Sequence, residues 1–417
     1  MRKFAVVGSP ISHSLSPNIF NGISNLLNID SHYTRICSSS FEDALELAKK
    51  LNIEFLNITS PYKSDVATCI ENKNEIDLRL FNSLFINNHK GLVANNTDID
   101  AFNTIINNCQ IPKNSRLLIL GGGDTAFLSY YQLNKLKYNN ITIAVREGLR
   151  AQFESNIVNT LNLIELDSLM EYDVLINTIP KSEINFEFLE YKPNLILIDT
   201  IYHKPFLNNL NVKYIGGVDW LILQAIPNIS KLFNIELLAS AVHDTLKIKQ
   251  HKTVVLSGMM ACGKSLVSKE LHSSHNIKSA DLDGLIAKYT NKTSAQIIRE
   301  DGINQFREIE FKILENAVKS NKYELLSLGG GTLTHPKAAQ FVNLMCYNIW
   351  VYSDFDLIQD RLARDKTDRP LLDTNNLTEI YYSRELTYYK YSDLIVENSN
   401  NVTSTIRRIH DEMLNLL

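Results

Sequence analysis

The stretch Gly258-Met259-Met260-Ala261-Cys262-Gly263-Lys264-Ser265 restricts the fold of this chain more than any other. It satisfies GxxxxGKS, follows the short apolar run 253–256 and precedes a helical pattern through Leu271. Strand, loop and helix in that order form a phosphate cradle, with backbone N–H groups around the anion and a helix N-terminus facing it. Glycine, here Gly258 and Gly263, is needed where the backbone approaches phosphate oxygens. Lys264 neutralises the β and γ groups, and Ser265 offers a hydroxyl to Mg²⁺. An accidental glycine-rich turn would lack this context, so the second half is expected to be a nucleotide-binding α/β unit.

The chain has 417 residues, more than one hydrophobic core usually serves, so two or three domains are expected. With Lys plus Arg 42 against Asp plus Glu 46 the net charge is −4, which excludes a strongly basic nucleic-acid binder. No apolar run approaches the roughly 18 residues of a membrane span, and the run after Met1-Arg2-Lys3 is too short for a signal-peptide core. A soluble, cytoplasmic protein without nucleic-acid or membrane partners is the expectation. The cysteines Cys37, Cys69, Cys109, Cys262 and Cys346 are odd in number and scattered, which suits buried free thiols rather than a zinc site.

Strand-like and helical patterns alternate throughout, the rhythm of α/β proteins with largely parallel sheets. Strands are expected at 4–7 and 55–59, with a helix through Ile19, Ile23, Leu26 and Leu27 that Ser16 caps and Pro17 opens. A second series, 117–120, 141–145, 174–176 and 195–198, has the rhythm of a dinucleotide fold. The polar segment from His243 to Lys252 predicts a boundary, and division near residue 248 is expected to give two folded, active fragments.

Downstream of the phosphate loop come Asp281-Leu282-Asp283, then Gly302-Ile303-Asn304-Gln305-Phe306-Arg307-Glu308-Ile309-Glu310, then Gly329-Gly330-Gly331, then Arg369-Pro370-Leu371-Leu372. Taken singly, the Asp pair reads as a helix cap and each arginine as a surface ion-pair partner. Together, in this order and spacing, they resemble shikimate kinase over nearly all of residues 252–396, with Ile303 where that family usually carries Glu. The resemblance implies that Asp281 joins Ser265 around Mg²⁺ and that Asp283 holds the attacking hydroxyl. Arg307 and Arg384 would grip the shikimate carboxylate, for which guanidinium geometry is suited. By the same resemblance Gly329, Gly330 and Gly331 let the backbone approach the ring, and Arg369 reaches the transferring phosphoryl group. The family's adenine-loop Arg is absent around Asn398-Ser399-Asn400, which leaves the adenine contacts unassigned.

In the first half, Gly8-Ser9-Pro10-Ile11-Ser12-His13-Ser14-Leu15-Ser16-Pro17 places two hydroxyls two residues apart before a helix, a geometry that suits a carboxylate and equally suits capping by Ser16. With Asn57-Ile58-Thr59-Ser60-Pro61-Tyr62-Lys63 and Asn96-Thr97-Asp98 it resembles shikimate dehydrogenase. Further matches are Asn82-Ser83, Asp199-Thr200-Ile201-Tyr202 with Pro205, and Gly217 through Trp220-Leu221 to Gln224-Ala225, so the likeness spans residues 3 to about 240. It implies that Lys63 and Asp98 are the catalytic pair, the ammonium protonating the carbonyl oxygen and the carboxylate holding the ammonium. Ser14 and Ser16 would bind the substrate carboxylate, and Asn57, Thr59, Asn82, Tyr202 and Gln224 the ring or its hydroxyls; His13 would be structural.

The cofactor loop, Leu120-Gly121-Gly122-Gly123-Asp124-Thr125-Ala126, fits GxGxxA through Gly121, Gly123 and Ala126, with Asp124 where the family normally has Gly. Arg146, in Val145-Arg146-Glu147, occupies the place of the Arg in the family's Asn-Arg-Thr around the 2′-phosphate of NADP, and Glu147 would repel that phosphate.

The expected architecture is therefore α/β throughout. A substrate-binding domain over 1–100, completed by a helical segment about 221–246, accompanies a Rossmann-like NADP domain over 101–220; a P-loop kinase domain with a parallel sheet follows over 247–417. The implied function is bifunctional, on the route to aromatic amino acids: NADPH reduces 3-dehydroshikimate to shikimate, and Mg·ATP phosphorylates the 3-hydroxyl. NADP(H), ATP and Mg²⁺ are the implied cofactors. The competing reading is a kinase whose first half is a redox-inactive shikimate-binding scaffold, and quinate is an open alternative for the dehydrogenase. Oligomeric state is not set by the sequence.

Overall fold

The computed structural model describes residues 1–417 apart from 71–79, 88–90, 147–158, 182–185, 187–188, 248–250, 365–368, 371, 373–375, 399–400 and 417. In chain order the strands are β1 (Arg2–Gly8), β2 (Ser31–Cys37), β3 (Phe55–Ile58), β4 (Ser83–Asn87), β5 (Gly91–Asn95), β6 (Leu117–Leu120), β7 (Ile141–Val145), β8 (Asn159–Asn162), β9 (Val174–Asn177), β10 (Ile196–Asp199), β11 (Lys213–Ile215), β12 (Thr253–Ser257), β13 (Ser279–Asp281), β14 (Leu325–Ser327), β15 (Cys346–Tyr352) and β16 (Leu394–Glu397). The helices are α1 (Ser16–Leu26), α2 (Phe41–Lys50), α3 (Val66–Cys69), α4 (Asp98–Cys109), α5 (Asp124–Lys135), α6 (Gly217–Phe233), α7 (Ala239–Thr245), α8 (Lys264–His275), α9 (Leu282–Thr290), α10 (Ser294–Lys319), α11 (Pro336–Met345), α12 (Phe355–Arg364), α13 (Leu377–Tyr391) and α14 (Val402–Leu416). They fall into two compact units, one of Met1–Pro17, Ile29–Tyr62 and Ile248–Leu417, the other of Asn18–Asn28 and Lys63–Lys247.

The first unit is built on one sheet in the order β13-β14-β12-β15-β16-β2-β1-β3, with parallel pairing at every step. Strands such as Thr253–Ser257 and Cys346–Tyr352 are buried on both faces, which is why neither shows a polar–apolar alternation. The P-loop strand β12 lies between β14 and β15, with its C-terminal end feeding the phosphate loop and α8. At the other side, β16 pairs with β2 through Ile395↔Ile36 and Val396↔Cys37. Side chains reinforce the seam: the Thr34 hydroxyl donates to Ser392 O at 2.9 Å, and the Tyr389 hydroxyl to Phe4 O at 2.8 Å. An open strand edge is a row of unpaired backbone groups, so the pairing of β2 with β16 closes two edges at once. The structure thus opposes the expectation of two self-sufficient fragments separable near residue 248, because residues on both sides of that point share one sheet.

The second unit holds a parallel sheet in the order β11-β10-β9-β6-β7-β8, together with the antiparallel hairpin β4–β5. Its strands alternate cleanly between two cores. Leu117 and Ile119 pack with Phe102, Ile105 and Trp220, whereas Leu118 and Leu120 pack with Leu163, Leu175 and Leu197, as the two-residue period of a strand requires. After β8 the chain returns to the far side of β6, so β6 and β9 flank the topological switch point at which open α/β sheets bind ligands. The expected strands 117–120 and 141–145 are observed as such, and those at 174–176 and 195–198 are β9 and β10, which end one residue later. Among the described residues no helix is long and apolar enough to cross a membrane. All five cysteines are free; Cys37, Cys262 and Cys346 are buried, and Cys69 and Cys109 are partly so.

Two candidate active sites

In the second unit, Lys63 and Asp98 meet. The ammonium donates to Asp98 Oδ2 at 2.6 Å, and the two side chains are 15% and 5% exposed. Asp98 opens α4, where the helix N-terminus favours a carboxylate. Its other oxygen accepts the Trp220 indole N–H at 3.3 Å, and Phe102 packs edge-on against the indole. Beside this pair, Asn82 Oδ1 accepts the Thr97 N–H at 2.8 Å, and Asn82 Nδ2 donates to Gln224 Oε1 at 3.0 Å and to the Thr97 hydroxyl at 3.1 Å. Asn228 Nδ2 also donates to the Thr97 hydroxyl. Asn82 and Gln224 are thus brought together one residue from Asp98, and Tyr202 lies half-buried just beyond β10. The sequence reading missed what Trp220, Thr97 and Asn228 do; it saw the first two only as parts of matching motifs.

At the switch point of the same unit, Gly121 follows β6 with φ +116°, and a Cβ there would run into the Thr178 hydroxyl and lie 2.8 Å from Ile179. Gly123 caps α5 with open space around it, and Ala126 is buried in the first turn. Asp124 is exposed at the first helical position and Arg146 is exposed immediately after β7; Glu147 lies outside the described residues. A glycine that no other residue could replace, an open glycine at the helix start and a cation past the next strand fit a dinucleotide. Nearby, Asp199 accepts from Asn177 Nδ2 at 2.9 Å and from the Ile201 N–H at 3.0 Å; burial pushes its carboxyl above the usual range against these bonds.

In the first unit, Ser14, Ser16 and Asn57 are buried and Thr59 is half-buried. α1 begins at Ser16, and the Ser16 N–H donates to Ser14 Oγ at 3.4 Å, so Ser14 rather than the expected Ser16 serves the helix start. The fully buried Tyr33 hydroxyl donates to Asn57 Oδ1 at 2.7 Å and so fixes that amide.

The same unit carries the phosphate loop. Gly258 and Gly263 have φ +136° and +101°; a Cβ on the first would lie 2.5 Å from Val351 O, and on the second would meet the Asn398 amide. Lys264 is buried and donates to Gly258 O and Met259 O at 2.9 Å each, and Asn398 Nδ2 holds Cys262 O at 2.7 Å. Ser265 Oγ donates to Asp281 Oδ2 at 2.6 Å, which joins the hydroxyl and carboxylate expected around Mg²⁺. A lone carboxylate with a hydroxyl fits Mg²⁺, which keeps several waters and takes its other ligands from phosphate.

Asp283, exposed at the start of α9, accepts from the Ser294 hydroxyl at 2.7 Å. Arg307 is paired with Glu310, which also accepts from the Thr332 hydroxyl at 2.7 Å. Burial raises the Glu310 carboxyl above its usual range, while Arg307 and Thr332 oppose the rise. Arg384 donates to Gly330 O at 3.1 Å, and the Tyr388 hydroxyl donates to the same oxygen. A Cβ on Gly331 would overlap the Arg307 guanidinium and lie 3.3 Å from Arg384 Nη2, so both guanidinium groups and the three glycines form one wall. Arg369 is half-buried, its carbonyl accepting from the Leu372 N–H. Glu310 was quoted in a motif but given no role, although its i, i+3 spacing from Arg307 was a readable signal.

The geometry defines a two-part enzyme class, a dinucleotide fold carrying a lysine–carboxylate pair joined to a P-loop phosphotransferase. A shikimate kinase family model matches residues 260–415, and a model of the shikimate dehydrogenase substrate binding domain matches 6–76. The chain is 32% identical over 276 residues to a shikimate dehydrogenase (NADP(+)) of Prochlorococcus marinus subsp. pastoris, covering 58% of this chain and 96% of that one. It is 30% identical over 171 residues to a shikimate kinase of Staphylococcus haemolyticus, covering 40% of this chain and 96% of that one. Among solved structures, the shikimate dehydrogenase of Aquifex aeolicus superposes with TM-score 0.52 at 20% identity, over 60% of this chain and 98% of that one, which shows the fold. The chain belongs to the shikimate dehydrogenase family in its N-terminal part and to the shikimate kinase family in its C-terminal part.

Proposed function

We propose that the chain reduces 3-dehydroshikimate to shikimate with NADPH and then phosphorylates the 3-hydroxyl of shikimate with Mg·ATP. The observation that carries the reading is the Lys63–Asp98 pair, at 2.6 Å, locked by Trp220 beside Asn82 and Gln224. A scaffold relieved of redox work has no reason to keep a largely buried ion pair, since such pairs contribute little net stability.

NADPH supplies the hydride when bound, held by Gly121, Gly123, Ala126 and Arg146. Lys63 delivers a proton to the substrate carbonyl oxygen, and Asp98 orients the ammonium. By the family resemblance, Asn57, Thr59, Asn82, Tyr202 and Gln224 would contact the ring or its hydroxyls, and Ser14 and Ser16 would donate to the carboxylate. In the kinase, Arg307 and Arg384 take the carboxylate of shikimate and Asp283 accepts the hydrogen of the attacking hydroxyl. Ser265 and Asp281 would hold Mg²⁺ when it is bound. Lys264 and Arg369 neutralise charge on the transferring group, since positioning and electrostatics are most of what phosphoryl transfer requires. Assays of purified protein with shikimate and NADP, quinate and NADP, and shikimate and Mg·ATP test the reading: oxidation of shikimate together with its phosphorylation supports it. Phosphorylation without oxidation leaves only the scaffold.

A further inference from the structure

Residues 9–15 connect β1 to α1 and carry Ser14. Two of their backbone donors, at residues 11 and 12, are satisfied from the far end of the chain. The Ile11 N–H donates to Glu412 Oε1 and Oε2 at 2.9 and 3.0 Å, and the Ser12 N–H to Glu412 Oε2 at 2.6 Å. The Ser12 hydroxyl donates to Glu412 O at 3.0 Å. Glu412 lies in α14, the last helix of the P-loop part, and has no exposed surface. A second clamp acts two residues on. Arg35 donates through Nε and Nη2 to Ser14 O at 3.1 and 2.5 Å and through Nη1 to Asp393 O, just before β16, at 3.0 Å. Arg408, also in α14, donates to Cys37 O at 3.2 Å and Glu397 O at 2.8 Å, tying that helix to β2 and β16.

A buried carboxylate is tolerated only where charge-assisted hydrogen bonds replace its water, and Glu412 finds them on the segment that presents the serine hydroxyls. We infer that Glu412 is a positioning residue for the dehydrogenase, through which the last helix of the kinase part sets the conformation of the Ser14–Ser16 segment that receives the substrate carboxylate. The inference rests on the dehydrogenase reading. Glu412 occupies the N–H groups of residues 11 and 12, so the incoming carboxylate is left to the hydroxyls of Ser14 and Ser16, whose spacing follows from how residues 11, 12 and 14 are held. Loss of the clamp weakens ground-state and transition-state binding alike, a change that raises KM and leaves kcat.

The test uses the full-length chain and shikimate as substrate in both directions of use, oxidation with NADP and phosphorylation with Mg·ATP. In Glu412→Gln the amide keeps the shape but can no longer offer two acceptor oxygens to the N–H groups. The shikimate KM for oxidation is expected to rise about tenfold, the effect of one lost charge-assisted hydrogen bond, with kcat within about twofold. The shikimate KM and kcat of phosphorylation stay at wild-type values. Ser12→Ala, which removes only the hydroxyl contact, moves the same KM in the same direction by less and serves where Glu412→Gln folds poorly. An oxidation KM unchanged in both variants overturns the inference, as does an equal fall of both activities in step with the melting temperature. Wild-type protein that phosphorylates but never oxidises shikimate overturns the dehydrogenase reading as well, which separates the two failures.

Discussion

Gly331→Ala tests the proposed kinase carboxylate site by adding a single methyl group. The new Cβ would overlap Arg307 Nη2 and stand 2.9 Å from Arg307 Cζ and 3.3 Å from Arg384 Nη2. Arg307 has no inexpensive escape: Glu310, 1% exposed, holds its other side and itself accepts from Thr332. Either the guanidinium swings and leaves buried Glu310 without its ion-pair partner, or the Gly329-Gly330-Gly331 backbone shifts toward the phosphate loop, where a Cβ on Gly330 would already lie 3.0 Å from Met260 N. Each route displaces at least one charge-assisted bond to the substrate carboxylate, worth about 1.5–3 kcal/mol. That corresponds to a rise of about 10- to 150-fold in the shikimate KM of phosphorylation. A coupled ADP-release assay at saturating ATP reads it, with shikimate oxidation as the internal control, since the Lys63–Asp98 pair belongs to the other unit. A phosphorylation KM within twofold of wild type in a folded Gly331→Ala protein would refute the assignment of Arg307 and Arg384.

Trp220→Phe removes the indole N–H from Asp98 while keeping most of the ring against Phe102; at 3.3 Å the bond is long, so a kcat loss of about tenfold for oxidation is expected, with KM little changed. Stopped-flow or steady-state NADPH formation checks this, and an unchanged kcat would leave Trp220 as core packing only. A fragment of residues 1–247 loses the partner of β2 and the acceptor of the Ile11 and Ser12 N–H groups, so it is expected to aggregate or to melt at lower temperature than the full chain; a soluble, fully active fragment would contradict the shared sheet. Burial holds the Asp199 carboxyl above the usual range, so the folded state binds a proton more readily than the unfolded one. Its contribution is present below the unfolded pKa of about 3.9 and is lost as pH rises through the raised folded value. Denaturant titrations of wild type and Asp199→Asn across that window should show wild type losing stability relative to the variant, and parallel curves would contradict the shift.

Local order was legible wherever a short stretch fixes its own structure. The strand, loop and helix around Gly258 and Lys264 follow from glycine conformation and one apolar run, and β6 and β7 follow from strand-length apolar segments. The meeting of Lys63 with Asp98 was reachable only through resemblance, because 35 residues and two strands separate them and a lone Lys or Asp reads as a surface charge. The seam between β2 and β16 was not legible. Leu394–Glu397 looks like any buried parallel strand, and nothing in four apolar-rich residues names a partner more than 350 positions away. Glu412 was hidden for a related reason: in an amphipathic helix such as α14 an acidic residue reads as part of the solvated face, and only the fold puts Ile11 and Ser12 over it. Asp124 illustrates the converse, a departure from the family pattern at the cofactor loop whose side chain proves exposed at the helix start.

The central claim is that one chain carries both reactions in separately disabled sites, and a single time course tests it. Full-length protein is given 3-dehydroshikimate, NADPH and Mg·ATP, with NADPH followed by absorbance and products by mass. Wild type is expected to consume NADPH and accumulate phosphorylated shikimate. Lys63→Ala should consume no NADPH yet phosphorylate added shikimate, and Lys264→Ala should consume NADPH and stop at shikimate. Wild-type protein that phosphorylates added shikimate but leaves NADPH untouched would contradict the account and reduce the N-terminal part to a scaffold.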